Sequence, residues 1–404
     1  MKKWNKIHRR SFLKSSVIGT TAALLGGRAI ASNRDGRTSG ITEQKLIYRV
    51  LGKTGIRLPV ISMGVMRADN PALVRASLDK GIVMYDTAHG YMRGNNETML
   101  GEVFKDVPRN KIIVATKIKL DGVDRTTGAF TDITSADKLV ELLEVSLQRL
   151  QFDYVDILYV HDVWSREAAL YEPVINTLQK LKAEGKIRFA GMSTHRNMAV
   201  VIQAAVESKF YDVVLTSYNF QMMNNGEMKE ALALAGKEKL GIVAMKTMAG
   251  GFLDRERTKP VNCKAALKWA LQNENICTAI PGFTALEHVE SACSVMDNLE
   301  LTDEEMNQLE HDAAIAGLFC EGCSNCQHAC KRNLPVPDLM RAYMYTYGYH
   351  EYHTARELVC SFDLGEDPCE GCEECTVRCS RGLAVAERIS DISRIRNVPA
   401  EFFT

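Results

Sequence analysis

Four ionisable side chains follow short apolar runs, and together they could transfer protons and form hydrogen bonds. Asp86 ends one run, and Tyr91 lies five residues further on, past a glycine. Lys117 ends a second β-rich run, and His161 ends a third. If the three runs are parallel strands of one sheet, the carboxylate, phenol, ammonium and imidazole converge at its C-terminal edge. Barrel enzymes hold their catalytic groups at that edge.

The elements that must position these groups recur along the chain. Segments with helical spacing of apolar residues, such as 138–147 and 171–182, alternate with strand-like runs. The runs lie at 58–64, 82–86, 112–117, 155–161, 189–193, 213–218, 242–246 and 278–281. Eight strand–helix units predict an α/β protein with a (β/α)8 barrel. No G-x-G-x-x-G follows the first run, which argues against an open dinucleotide-binding sheet.

The four residues also carry a family resemblance. Asp86 and Tyr91 in the pattern D-T-A-x-x-Y, with Lys117 and His161 ending the third and fourth strands, resemble the catalytic tetrad of the aldo-keto reductases. The resemblance extends over nearly the whole barrel. It implies interconversion of a carbonyl and an alcohol, with a nicotinamide dinucleotide, NAD(P)(H), as hydride carrier. It also implies cofactor-binding residues at other strand ends: Ser193, Thr194, Tyr218, Lys246 and Gly282.

The resemblance gives each member of the tetrad a role. Tyr91 is expected to be the general acid that supplies a proton to the carbonyl oxygen. A free phenol has a pKa of about 10, and a nearby cation lowers it. Lys117 is the expected cation, and Asp86 is expected to hold the ammonium in place and keep it charged. His161 is expected to donate a hydrogen bond to the substrate oxygen.

The sequence does not distinguish NAD from NADP. In the family, basic residues on the eighth strand and the next helix commonly bind the extra phosphate of NADP. Residues 282–288 contain no Lys or Arg. Lys246, at the end of the seventh strand, is expected to meet the pyrophosphate as a point charge.

Eight of the 12 cysteines form two groups with one spacing, C-x2-C-x2-C-x3-C. The first group is Cys320, Cys323, Cys326 and Cys330, and the second is Cys369, Cys372, Cys375 and Cys379. The spacing resembles that of bacterial ferredoxins, which implies two 4Fe-4S clusters. In such modules the fourth cysteine of each group often binds the opposite cluster. Lys331 and Ser380 stand where a proline normally follows the fourth cysteine.

Two other uses of these cysteines compete with the clusters. Zinc binds four cysteines, but usually as two C-x2-C pairs set apart by a longer loop. Disulfides occur in oxidising compartments, but this crowded and duplicated spacing would strain them. The spacing therefore favours iron–sulfur clusters, with zinc and disulfides as the alternatives.

The N-terminus resembles a twin-arginine export signal. Arg9 and Arg10 precede a modest apolar stretch, and Ala29-Ile30-Ala31 offers a cleavage site. This implies the twin-arginine (Tat) translocase as a partner and a periplasmic or other extracytoplasmic location. The predicted organisation is a signal peptide at 1–31, a linker at 32–45, the barrel at 46–300, a connecting helix at 301–317 and a mainly helical ferredoxin-like domain at 318–396.

Composition narrows the class of protein further. The chain has 404 residues, of which 46% are hydrophobic and 25% charged, which is enough for a large core and a second module. A formal net charge of zero gives no support to a nucleic-acid partner. No stretch after the first thirty residues has the uninterrupted apolar length of a membrane span.

Two functions fit these patterns. The first is an exported oxidoreductase that acts on a small carbonyl or alcohol and exchanges electrons with a redox partner through its clusters. The alternative is an iron–sulfur electron-transfer protein whose barrel is a non-catalytic binding module. The intact tetrad favours the first.

Overall fold

The computed structural model describes residues 46–365 and 367–403, so the predicted signal peptide and linker lie outside the described residues. The strands in these ranges are β1 (Tyr48–Val50), β2 (Arg57–Pro59), β3 (Met63–Gly64), β4 (Met84–Asp86), β5 (Ile113–Ile118), β6 (Val155–Val160), β7 (Ile187–Thr194), β8 (Val213–Ser217), β9 (Gly241–Met245) and β10 (Thr278–Ala279). The α-helices are α1 (Pro71–Asp79), α2 (Asn95–Phe104), α3 (Asp137–Leu150), α4 (Arg166–Ala169), α5 (Glu172–Ala183), α6 (Met198–Ser208), α7 (Gly226–Lys237), α8 (Cys263–Gln272), α9 (Leu286–Cys293), α10 (Asp303–Ala314), α11 (Val336–Met344), α12 (Tyr352–Cys360) and α13 (Val385–Ser393).

Strands β3 to β10 form one parallel sheet in chain order, which confirms the predicted barrel. Parallel bridges from Ile61 to Ala279 and from Gly64 to Gly282 join the first strand to the last. The first predicted run, 58–64, is divided between β2 and β3. Pro59 has no N–H to donate, so β2 ends there after pairing antiparallel with β1.

Alternation along the strands gives the barrel an inner and an outer core. Met84, Ile157, Leu215 and Val243 belong to one buried cluster inside the barrel. Residues of opposite orientation pack with the helices in a larger cluster, to which the buried face of α3 contributes at helical spacing. The strands are therefore buried on both faces, which explains their nearly continuous apolar runs.

The β1–β2 hairpin covers the N-terminal end of the barrel. Leu51, Ile56 and Leu58 belong to the inner cluster. Gly52 has φ +49°, and a Cβ there would lie 2.3 Å from the amide nitrogen of Gly241, the first residue of β9. This close contact places the hairpin turn directly against β9, and the catalytic cavity lies at the opposite, C-terminal ends of the strands.

The chain after the barrel folds over those C-terminal ends. Helix α10 begins with a capping box between Thr302 and Glu305. The first cysteine group lies between α10 and α11, and the second lies between α12 and α13. A π-helical turn at Tyr345–Tyr349 connects α11 to α12.

Buried ion pairs attach this C-terminal segment to the barrel. Arg341 of α11 donates to both carboxylate oxygens of Asp162, at 2.9 and 3.1 Å, and to Asp338. Asp338 also pairs with Arg196 of the barrel at 3.0 Å. All four side chains are at most 10% exposed. Among residues 46–365 and 367–403, no helix is both long and apolar enough to cross a bilayer.

Candidate active site

The strand register brings the tetrad to one edge of the sheet. Asp86 is the last residue of β4 and pairs with Ala115 of β5, two residues before Lys117. The amide of His89 donates to the carbonyl oxygen of Lys117, which guides the chain after β4 back over β5. Tyr91 begins the 3-10 turn that follows, and His161 directly follows β6. All four residues therefore lie at the C-terminal end of the barrel.

The Lys117 ammonium is at the centre of the group. It donates to Asp86 Oδ1, to the carbonyl oxygen of Thr87 at 2.6 Å and to the Tyr91 hydroxyl at 3.3 Å. Lys117 and Asp86 are 1% and 2% exposed. Burial opposes the charged ammonium, but Asp86 and Tyr91 outweigh it and raise the pKa of Lys117 above its ordinary value. The ammonium is therefore held charged in a dry environment.

Tyr91 keeps its proton in this environment. Burial raises the pKa of the phenol, and the opposing effect of Lys117 is smaller. The net direction is therefore the opposite of the one expected from the Lys117 charge alone. A protonated phenol is the form that a general acid needs at the start of a carbonyl reduction.

His161 faces Tyr91 across the site. The two ring centroids are 6.1 Å apart and the rings are nearly perpendicular, at 83°. Burial, with a further contribution from Lys117, lowers the pKa of His161 to about 3. The imidazole is therefore neutral near pH 7, and one of its nitrogens can donate a hydrogen bond.

The low pKa of His161 predicts a loss of stability in acid. Between pH 6.5 and 3 the unfolded chain binds a proton at this residue that the folded chain does not, so stability falls as the pH falls. In the wild-type protein this effect should lower the free energy of unfolding by up to about 2 kcal/mol between about pH 7.5 and pH 5. Replacing His161 by Gln should abolish this part of the decrease. Urea unfolding of the wild-type protein and of His161→Gln at each pH measures the difference in the free energy of unfolding. An equal pH dependence in the variant would contradict this electrostatic account.

A cavity of about 440 Å³ opens between the tetrad and the ends of β9 and β10. Asp86, Tyr91 and His161 line it, and Lys117 lies behind them. The opposite wall is formed by the chain after β9, including Gly250 and Gly251, and by the chain after β10. The cavity therefore continues from the reacting groups to the ends of β9 and β10.

The five predicted cofactor residues divide between the cavity wall and its surroundings. Lys246 and Gly282 line the cavity. Ser193 and Thr194 are buried outside its lining, where Ser193 Oγ accepts from the amide of Asp162 at 3.1 Å. Tyr218 is not brought to the cavity. Its ring packs beside Trp269 of α8 with centroids 5.1 Å apart.

The cavity wall is rich in cations. Lys246 Nζ donates to the Tyr345 hydroxyl at 3.3 Å, and burial lowers the pKa of Lys246. Arg257 contacts the ring nitrogens of His350. Within the described part of the chain, neither cation has a carboxylate within ion-pair distance. This wall fits an anionic group such as a pyrophosphate.

Several residues of the cavity were not predicted from the sequence. His195 directly follows β7 and Asp162 is the second residue after β6, so their positions near strand ends were a usable signal. Arg341, Tyr345 and Tyr349 come from the C-terminal segment and also line the cavity. No pattern in the sequence indicated that this segment covers the barrel mouth.

None of the eight clustered cysteines forms a disulfide, and thiols of the two sequence groups lie close to one another. Burial and neighbouring thiols, including that of Cys379, raise the pKa of Cys320 to about 12, against the lowering effect of the Gly322 amide. Burial and nearby groups that include Asp367, Cys372, Cys375 and Cys330 raise the pKa of Cys369. The fourth cysteine of each group thus lies near the other group.

Among the described residues, no three His, Cys, Asp or Glu side chains are arranged to hold one metal ion.

A parallel eight-stranded barrel with a phenol, an ammonium, a carboxylate and an imidazole around one cavity defines a (β/α)8 enzyme of the carbonyl-reducing class. The model of the aldo/keto reductase family matches residues 63–265. The chain belongs to that family and is an oxidoreductase. The cysteine groups lie outside the matched range.

Related proteins agree with this assignment. The chain is 28% identical to the L-galactose dehydrogenase of Arabidopsis thaliana over 309 residues, which are 66% of this chain and 94% of that protein. It is 26% identical to the NADH-specific methylglyoxal reductase of Escherichia coli (strain K12) over 257 residues, which are 57% and 76% of the two chains. The fold is similar to that of the aldo-keto reductase AKR11C1 from Bacillus halodurans, with a TM-score of 0.54, 22% identity, and coverage of 66% and 96%.

Proposed function

We propose that the protein interconverts a small carbonyl compound and the corresponding alcohol in the cavity beside Tyr91, and that Tyr91 handles the proton. The observation that carries this proposal is the position of the Lys117 ammonium between Asp86 and the Tyr91 hydroxyl, 3.3 Å from the latter. That contact stabilises the phenolate left after the phenol has given up its proton. A buried Lys–Asp pair that served only stability would not account for the Tyr91 hydroxyl within hydrogen-bond distance of the ammonium.

Tyr91, His161 and Lys117 each have a separate role in the reaction. In the reducing direction, Tyr91 transfers its proton to the carbonyl oxygen as the negative charge develops there. The neutral His161 donates a hydrogen bond to the same oxygen and orients it. A bound nicotinamide supplies the hydride. In the oxidising direction Tyr91 must first lose its proton. The phenolate, stabilised by Lys117, then accepts the alcohol proton.

Family membership supports NAD(P)(H) as the cofactor, and the cavity has groups to bind it. We propose that Lys246 meets the pyrophosphate and that the backbone at Gly282 contacts the nucleotide. Ser193 and Thr194 would act indirectly, since Ser193 supports the backbone of Asp162 beside His161. Tyr218, packed beside Trp269, supports α8, and a direct contact with the nucleotide would require it to move.

Loss of NAD(P)H absorbance on addition of small aldehydes tests this function. The full-length protein is mixed with NADH or NADPH and with methylglyoxal, glyceraldehyde or propanal. Aldehyde-dependent oxidation of either nucleotide is the expected result. No oxidation with any combination, by protein that is folded and binds nucleotide, would favour the non-catalytic barrel.

We also propose that the eight cysteines hold two 4Fe-4S clusters in a ferredoxin-like segment. The cross-association of Cys379 with the Cys320 set and of Cys330 with the Cys369 set supports this proposal. In such a cluster each thiolate binds a different iron, so the thiolates stand further apart than around one ion. The lack of a compact single-ion site among the described residues is compatible with that spacing.

Metal analysis separates the three uses of the cysteines. Protein purified without oxygen should contain about eight irons per chain and show a broad visible band that dithionite bleaches. Replacing Cys372 by Ser should remove about half of the iron, whereas replacing Cys263, outside both groups, should remove none. Stoichiometric zinc, or disulfides without iron, would contradict the clusters.

Finally, we propose export through the twin-arginine route to an extracytoplasmic compartment. The support is the Arg9-Arg10 segment and the preassembled state that cluster proteins need before export. A redox partner would then exchange single electrons with the clusters.

A further inference from the structure

The two cross-associated cysteine sets lie in different surroundings. The inner set is Cys320, Cys323, Cys326 and Cys379, and the outer set is Cys369, Cys372, Cys375 and Cys330. The inner set adjoins the barrel. The amide of Asn197, just after β7, donates to the carbonyl oxygen of Gly322 at 2.8 Å. A Cβ at Gly322 would lie 2.2 Å from the carbonyl oxygen of His195, so this loop meets the barrel backbone directly.

A small cavity of about 20 Å³ lies between the inner set and the catalytic cavity. Cys320 lines it, together with His195, Lys246 and Arg341, and these last three also line the catalytic cavity. The cluster on the inner set would therefore be the one next to the reacting groups.

Cations lie around the inner set, and the carboxylate within its loop, Glu321, is paired with Arg381 at 3.3 Å. Arg196 and Arg388 both lie within electrostatic range of Cys320, and Arg388 is also within range of Cys379. Arg196 and Arg341 are paired with carboxylates, whereas Lys246 and Arg388 have none within ion-pair distance among the described residues. In addition, the Gly322 amide donates to the Cys320 sulfur at 3.4 Å.

Carboxylates surround the outer set. The Asp367 carboxylate accepts from the Cys369 amide at 3.0 Å. Glu370 and Glu373 are exposed and are in no ion pair within the described ranges, and Glu374 is paired with Arg378 at 2.9 Å. Lys331, next to Cys330, and Arg378, which donates to the Cys375 carbonyl oxygen, offset part of this negative charge.

These surroundings act on the two clusters in opposite directions. Reduction adds one negative charge to a cluster, and nearby cations and N–H donors to sulfur stabilise that charge. Carboxylates destabilise it. We propose that the cluster on the inner set has the higher reduction potential and takes the first electron. The inference rests on the proposed pair of clusters. It places the electron of the half-reduced protein beside the catalytic cavity.

A redox titration followed by electron paramagnetic resonance tests the order. Full-length protein purified without oxygen takes electrons from dithionite in the presence of mediators, and each cluster's signal gives its midpoint potential. Cys323→Ser and Cys372→Ser each remove one ligand and so assign the signals to the inner and outer sets. We expect the inner signal to appear first.

Variants of Arg388 test the cause. Arg388→Gln should shift the inner midpoint to a more negative potential and leave the outer one unchanged, while Arg388→Lys keeps the charge and the wild-type order. Arg394→Gln, at an exposed position near the same helix, should change neither. Reduction of the outer cluster first, equal midpoints, or an unchanged inner midpoint in Arg388→Gln would overturn the inference. Protein without iron would instead overturn the proposed clusters.

Discussion

Replacing Tyr91 by Phe is expected to lower kcat for aldehyde reduction by about 10²- to 10⁴-fold, the usual contribution of a positioned proton donor. The substitution removes one hydroxyl from a cavity wall and leaves the ring that packs near His161. The Lys117–Asp86 pair keeps its other partners. KM and nucleotide affinity should therefore change little. Steady-state kinetics and separate nucleotide-binding measurements would show a large fall in kcat with KM and nucleotide affinity nearly unchanged.

Tyr347→Phe is the matched control for this experiment. Tyr347 also loses one hydroxyl, but that hydroxyl donates to Asp391 at 2.6 Å and Tyr347 is not among the residues that line the catalytic cavity. Its kcat should stay at the wild-type value. An undiminished kcat in Tyr91→Phe would contradict the assignment of the proton donor, and equal losses in both variants would indicate a general effect of phenol removal.

Replacing Lys117 by Met is expected to lower the free energy of unfolding by about 3–5 kcal/mol, because it leaves the buried Asp86 carboxylate without its cation. Asp86 Oδ2 already has no hydrogen-bond partner, so the remaining contacts cannot take over. Activity should fall as well, since the phenolate of Tyr91 loses its stabilising charge. Denaturant unfolding at neutral pH measures the first effect.

The double variant Asp86→Asn with Lys117→Met separates stability from catalysis. It removes both charges, so most of the lost stability should return while the activity stays low. The single variants Asp86→Asn and Lys117→Met complete the double-mutant cycle. Strictly additive losses in the double variant would show that the two side chains are not coupled, contrary to their buried contact.

The tetrad was predictable because barrel topology fixes where strand ends lie. Each of Asp86, Lys117 and His161 ends an apolar run, and parallel strands bring such residues to one edge. The position of Tyr91 was predictable because it lies only five residues after Asp86, the last residue of β4. Side-chain direction just beyond a strand is not fixed in this way. Tyr218 follows β8 and packs beside α8, whereas Lys246 follows β9 with φ +55° and faces the cavity.

The role of the C-terminal segment could not be predicted because it depends on contacts between distant parts of the chain. The Arg341–Asp162 pair joins residues 179 positions apart, and neither residue belongs to a local motif. The cysteine spacing predicted local cluster-binding motifs, but it did not predict that the backbone at Gly322 would pack against the barrel backbone at His195. The net pKa direction of Tyr91 was also missed, since burial is a property of the folded protein.

Transfer of deuterium to an aldehyde from NADH or NADPH that carries deuterium at both C4 positions of the nicotinamide, read by mass spectrometry of the alcohol, tests the central claim most directly. Wild-type protein should give an alcohol that is one mass unit heavier with at least one of methylglyoxal, glyceraldehyde and propanal. Tyr91→Phe should give little or none in the same time. Undiminished deuterium transfer in Tyr91→Phe, or none in folded wild-type protein with bound nucleotide, would contradict the account.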